Sequence, residues 1–333
     1  MSLPRVLVVS LGGTITMTSS GTGGIAPTLT AESLVAGVPQ LAAVAQLEAL
    51  TRFSLPGASL SIAQLVEVAA LVRQKFSDGL DGAVIVQGTD TIEDTAFVLD
   101  LLAGDGKPVV VTGAMRGPQA PGADGPANLL SAVTVAADAR MQGLGACVVL
   151  NDEIHAARWV QKSHSALTSA FESPGTGRMG VVTEGRVELF MRPERRLSAI
   201  VLQGAPVEIA PVAQVSIGLG EDGRILSTLK GLGYAGAVIE GMGAGHVPAA
   251  AVEAVSALMA QMPVVLCSRV RAGRIFNKTY GFAGSEMDLI QRGVIPCGHL
   301  TAGKARLLMA LLLSAGANPT DIRAAMGLMA QAG

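Results

Sequence analysis

VIVQGTDTIEDTAFVLDLL, residues 84–102, joins an apolar run to a polar turn and then to a helical pattern. Val84–Val86 shows no polar alternation, the mark of a strand buried on both faces of a sheet. The same order recurs along the chain. Strand-like runs lie at RVLVVS (5–10), GAVIVQ (82–87), PVVVTG (108–113), ACVVL (146–150), QVSIGL (214–219), GAVIEG (236–241) and PVVLCS (263–268). Helical patterns lie at 61–76, 91–103, 125–139, 248–260, 301–314 and 319–331. Strands alternating with helices predict an α/β protein with a mainly parallel sheet. We expect a larger N-terminal domain over 1–190, a linker over 191–212 and a smaller C-terminal parallel α/β domain over 213–333. The linker reading rests on a basic cluster and three prolines in a stretch, 186–212, that lacks helix periodicity.

Composition narrows the class. The chain has 333 residues, is 50% hydrophobic and only 3% aromatic, and carries a net charge of −2. It shows no basic run of nucleic-acid type and no interleaving of arginine with aromatics, so no nucleic-acid partner is expected. No apolar run reaches the roughly 18 residues of a membrane span. The cysteines, Cys147, Cys267 and Cys297, are widely spaced and sit in apolar surroundings, which suits reduced core residues of a cytoplasmic protein. CxxC and HExxH are absent, so neither a metal nor another cofactor is expected.

Open α/β sheets bind ligands at the C-terminal ends of their strands, and three such ends here are unusually polar. Gly12-Gly13-Thr14 follows the first strand, Gly88-Thr89-Asp90-Thr91 the second, and Gly113-Ala114-Met115-Arg116 the third. Thr91 with Asp94 fits a helix cap, which leaves Thr89 and Asp90 without a structural reason. A threonine nucleophile needs a base. With four histidines in the chain, lysine is the better candidate, and Lys162 lies beyond the strand at 146–150. A nearby aspartate would orient it and hold its ammonium form. Residues 16–30, rich in Gly, Ser and Thr, read as a mobile lid after the first strand.

The motifs LGGTI, VQGTDTIEDTA, VVVTGAMRG with ADGPANL, and DEIHAARWVQKSHSALTSAFES resemble the successive signatures of the bacterial L-asparaginase family, the threonine amidohydrolases. GMGAGHVP, SRVRAG and GHLTAGKARLLMALLL resemble its second domain, so the likeness spans essentially the whole chain. The resemblance implies hydrolysis of the side-chain amide of L-asparagine through an acyl-enzyme, with no metal or cofactor. Thr14 then matches the acylated nucleophile, and Thr89, Lys162 and Asp90 match a Thr-Lys-Asp triad, with Asp90 also facing the substrate ammonium. The N–H groups of Thr14 and Thr89 would serve an oxyanion. Gly88 and the Ala114 carbonyl would line the substrate. Glu286 matches a glutamate that reaches the site of a neighbouring subunit, which implies a homo-oligomer, an intimate dimer or a dimer of dimers. His246 stands where an asparagine often lies beside that glutamate.

Two departures bear on the site. Residues 16–30 contain no tyrosine, although many members carry one on this loop. Ser59 matches the serine that binds the α-carboxylate, but the glutamine that usually follows is Leu60 here. The closest rival readings are a glutaminase-asparaginase or an amidase for another small amide. A tRNA-dependent amidotransferase subunit shares the motifs but is expected to carry an extra N-terminal domain. Gly241-Met242-Gly243-Ala244-Gly245 suggests a dinucleotide site, yet the next strand ends in Ser268-Arg269 rather than an acid. A catalytically dead ligand sensor is disfavoured by the intact Thr-Thr-Asp-Lys set.

Overall fold

A computed structural model describes residues 2–19, 25–103, 106–194, 200 and 208–330. The chain separates into two compact units, Met1–Ala199 and Ile200–Gly333. Most of the expected linker, residues 195–199 and 201–207, lies outside the described residues.

The first unit is built on β1 (Arg5–Gly12), a hairpin of β2 (Met17–Ser19) and β3 (Ile25–Pro27), β4 (Gln46–Leu55), β5 (Gly82–Val86), β6 (Val109–Thr112), β7 (Ala146–Leu150) and β8 (Glu153–Ala156). A separate two-stranded ladder, β9 (Gln161–Lys162) and β10 (Phe171–Glu172), follows, then β11 (Gly180–Thr183) and β12 (Arg186–Leu189). Eight of these form one sheet in the order β12-β11-β8-β7-β6-β5-β1-β4. Its β4-to-β7 half is parallel, as the apolar runs require, and its other half is antiparallel. The hairpins turn where Asn151 and Asp152, and then Glu184 and Gly185, take positive φ, the backbone that two-residue hairpins favour. Arg186–Leu189, in the stretch that lacked periodicity, is thus an edge strand.

Helices α1 (Ala31–Ala36) and α4 (Gly125–Ala137) cover one face of this sheet. Helices α2 (Ile62–Ser77) and α3 (Ile92–Ala103) pack together, with α3 on β6 and β7. Ser61 and Gln64 close α2 with a reciprocal capping box. Strand β5 is wholly buried. Each fully buried Val or Ile there contributes about 1.5–3 kcal/mol.

The second unit carries β13 (Val212–Ser216), β14 (Gly236–Gly241), β15 (Val264–Ser268) and β16 (Ile295–Pro296) as a parallel sheet in chain order. Helices α5 (Val252–Met259), α6 (Glu286–Gln291), α7 (Ala302–Ser314) and α8 (Pro319–Ala330) complete it, with α7 on β13, β14 and β15. The expected strand at 214–219 starts and ends earlier, since Ser216 is the last residue paired to β14. Among the described residues no helix is long and apolar enough to cross a membrane.

The strand ends of the first unit touch backbone to backbone. A Cβ on Gly13 would lie 2.0 Å from the Gly88 nitrogen, and one on Gly88 would lie 2.8 Å from the Gly57 nitrogen. Gly13 also holds φ 85°, which only glycine adopts without strain. Gly88 has φ −68°, open to any residue, so its need is purely spatial. Gly88→Ala is therefore expected to cost about 1–3 kcal/mol through overpacking. Gly218→Ala, where an added Cβ meets nothing within 4 Å, should stay within about 0.5 kcal/mol of wild type. Denaturant unfolding of both variants checks this, and equal costs would contradict it.

Candidate functional site

Three adjacent strands, β6, β5 and β1, end in the three polar loops, and β4 adds a fourth beside β1. Strand β1 is flanked by β4 on one side and β5 on the other, so chain order reverses there. This is the switch point at which open α/β sheets form their ligand crevice. The 3₁₀ turn Thr14–Thr16 leaves β1 behind Gly13, with Thr14 half-buried. The turn is held by Thr16, whose N–H and hydroxyl both donate to the Gly13 carbonyl, at 2.9 and 2.8 Å. The segment read as a lid begins with the β2–β3 pairing, and the Thr18 and Thr28 hydroxyls bond at 2.8 Å. Residues 20–24 of that segment lie outside the described residues.

The turn Thr89–Thr91 follows β5 and opens on Gly88 without a side-chain cap. Thr91 does not act as the expected cap. Its hydroxyl donates to the Gly57 carbonyl at 2.9 Å and accepts from Gln87 Nε2 at 3.1 Å. It thus ties the β5 loop to the β4 loop, where Ser59 is exposed in the turn Gly57–Ser59. The third loop is locked from α4. Asp124 accepts the N–H groups of Met115 and Arg116, both at 2.9 Å, and Asn128 Nδ2 donates to the Gly113 carbonyl at 3.0 Å. These bonds fix buried Ala114 between them. ADGPANL carried the signal, but only the fold shows which carbonyl and N–H groups it serves.

Lys162 follows β8 in the chain but lies outside the main sheet. It lies in β9, where it pairs with Phe171 of β10. Its Nζ donates to Thr89 Oγ1 at 2.9 Å and to Asp90 Oδ1 at 3.0 Å. The Lys162 side chain is 18% exposed, against 64% for Asp90. So exposed an aspartate leaves the pair worth no more than about 1 kcal/mol after screening. Its value is geometric: it aims the amine at a threonine that is 7% exposed. Sequence reasoning missed Glu93, whose Oε2 accepts the Lys162 main-chain N–H at 2.5 Å. An acid in the first turn of a helix reads as ordinary, and nothing in the sequence marks a partner 69 residues away.

The far end of the β9–β10 ladder is tied by a buried histidine. Ser173 bonds His155 Nδ1 at 2.9 Å, and His155 Nε2 lies 3.2 Å from Glu153, which also pairs with Arg178. Burial is the main influence on His155 and pushes its pKa down. Glu153 and Glu172 oppose this, and Arg178 adds to it.

In the second unit the structure brings together Glu286 and His246. Glu286 is fully buried. Its Oε1 accepts from the N–H groups of Thr279 (3.0 Å) and Tyr280 (2.8 Å), and its Oε2 lies 3.2 Å from His246 Nε2. Burial is the largest single influence and pushes its carboxyl up. The N–H groups of Tyr280, Thr279 and Glu286 itself, with His246, together outweigh it and hold the pKa below the ordinary carboxylate value. The His246 ring meets Tyr280 and Phe282 edge-on, at 4.9 and 5.1 Å. Among the described residues no group of three His, Cys, Asp or Glu is arranged to hold a metal.

Two family models match this chain. Residues 5–195 match "Asparaginase, N-terminal" and residues 211–326 match "Glutaminase/Asparaginase C-terminal domain". The chain belongs to the asparaginase family. It is 36% identical to a probable L-asparaginase of Deinococcus radiodurans, over 97% of each chain. It is 31% identical to an L-asparaginase of Bacillus licheniformis, over 93% of this chain and 95% of that one. The crystal structure of a probable cytoplasmic L-asparaginase from Campylobacter jejuni superposes with a TM-score of 0.86 at 29% identity, covering 97% of this chain and 99% of that one.

The buried imidazole carries a pH signature. The folded state resists protonating His155, whereas the unfolded chain protonates it below about pH 6.5. Its contribution to stability is present above that value and is lost as pH falls toward the depressed folded pKa. Thermal midpoints between pH 8 and 5 should fall more steeply for wild type than for His155→Gln. Parallel curves would exclude the effect. Glu286 acts separately, in the window that opens below its ordinary value of 4.5.

Proposed function

We propose that the protein hydrolyses the side-chain amide of L-asparagine to L-aspartate and ammonia. The observation that carries this is the contact of Lys162 Nζ with both Thr89 and Asp90 at a switch-point crevice. Membership of the asparaginase family supports it. The Thr14 hydroxyl attacks the amide carbon, and its proton passes into the Thr89–Lys162 pair. The N–H groups of Thr14 and Thr89 face the oxyanion. The C–N bond breaks and the proton leaves with ammonia. Water then cleaves the Thr14 ester, releases aspartate and restores the hydroxyl. Asp90 holds the lysine, and its exposed carboxylate meets the substrate ammonium. Ser59, exposed on the neighbouring loop, takes the α-carboxylate. Gly88 and Ala114 supply main-chain walls.

We place the reaction in the cytoplasm, which three free, buried cysteines suit. We further propose a homo-oligomer. Phe276, Tyr280 and Phe282, each more than 40% exposed, cluster near His246 and form an apolar surface fit for a second copy. Because Glu286 is enclosed and His246 is 21% exposed, His246 is the group offered across that interface, with Glu286 holding it.

Ammonia release from asparagine and from glutamine tests the reading. Asparagine should be the better substrate, and Thr14→Ala, Thr89→Val and Lys162→Met should each lower kcat about 10²–10⁴-fold. Wild-type-like turnover by Thr89→Val would remove the triad, and faster release from glutamine would favour the glutaminase reading. Full activity of a monomer in sedimentation would remove His246 and Glu286 from the site.

A further inference from the structure

We infer that Glu93 is a positioning residue for the reaction, setting where the Lys162 amine stands. The inference rests on Lys162 being the base. Lys162 is carried by a two-residue strand in a ladder separate from the main sheet. The sheet's own hydrogen bonds therefore cannot set its register against Thr89. Its main-chain N–H instead donates to Glu93 Oε2 at 2.5 Å, while its Nζ donates to Thr89 and Asp90. All three acceptors lie within five consecutive residues, 89–93, on the rigid turn where β5 gives way to α3. One element thus grips the lysine at both ends, main chain and ammonium.

This grip has a mechanical consequence. A lysine side chain has four rotatable carbons, so contacts at its tip alone leave the main chain free to slide. Fixing the N–H removes that freedom and limits the positions from which the amine can meet Thr89 Oγ1. A carboxylate suits this task because a charged acceptor makes a short, strong bond to an N–H group. Ser173, just past β10, and His155 of β8 hold the other end of the ladder and set its attachment rather than the lysine's register.

Glu93→Ala and Glu93→Gln would be compared with wild type by amide hydrogen exchange and by steady-state kinetics. Glu93→Ala should speed exchange at Lys162 while leaving β5 (82–86) protected, which reports an intact fold. It should lower kcat about 100-fold with little change in KM, because displacement of a reacting group by about an ångström costs that much. Glu93→Gln keeps an oxygen acceptor and should restore both the protection and most of kcat. Unchanged exchange at Lys162 in Glu93→Ala, or full kcat despite faster exchange, would overturn the inference. Loss of activity in Glu93→Gln equal to that in Glu93→Ala would also overturn it. Exchange needs no turnover, so failure of the asparaginase reading itself, seen as a wild type that releases no ammonia, is distinguished from failure of the tether.

Discussion

The site depends on backbone touching backbone. Gly13, Gly57 and Gly88 close the ends of β1, β4 and β5, and each would place a Cβ within 2.8 Å of main-chain atoms of another of these loops. A side chain at any of them would separate strand ends that must meet. Contact at this range brings together Thr14 and Thr89, each next after its glycine, and Ser59, two residues past Gly57. Gly113 extends the arrangement, since a Cβ there would lie 2.4 Å from the Gln87 carbonyl oxygen. The glycines contribute no chemistry and remove the volume that would keep the chemistry apart.

Close approach brings the loops together, and polar side chains then hold them. Thr91 ties the β5 loop to the β4 loop, Asp124 and Asn128 brace the Ala114 loop, and Glu93 fixes Lys162. Each belongs to the opening of a helix or the turn before it, where its side chain faces a strand end. The ion pair between Lys162 and Asp90 adds little stability because Asp90 is mostly exposed. Its effect lies in direction, since it removes freedom from the amine.

The parallel core was legible in the sequence because burial on both faces leaves little but Val, Ile and Ala. β5, β6, β7, β14 and β15 fall within a residue or two of the apolar runs. Thr89, Asp90 and Lys162 stood out in the sequence because no local structure required them, and the fold brings them within hydrogen-bond reach of one another. Strand β4 was not, since QLEALTRFSL is half-exposed along its length and mixes charges into the pattern. The antiparallel edge was hidden for another reason. Its turns, Asn151-Asp152 and Glu184-Gly185, give a short local signal, and the strands they join have only four or five residues. The duty of Thr91 could not be read either. A hydroxyl at a helix start looks like a cap, and only the position of Gly57 redirects it.

The separation of Lys162 from the sheet then has a physical sense. Hydroxyl groups and main-chain N–H groups that stabilise developing charge must not reorganise during the reaction, and a buried parallel sheet suits them. A base, the part proposed for Lys162, has a different requirement, because it must gain and lose a proton while keeping its distance to one oxygen. The β9–β10 ladder meets this with two anchors: a carboxylate on the main chain of Lys162, and a histidine kept neutral by burial at the far end. The threonines are thus held by the packing of the sheet, and the lysine by a few named hydrogen bonds.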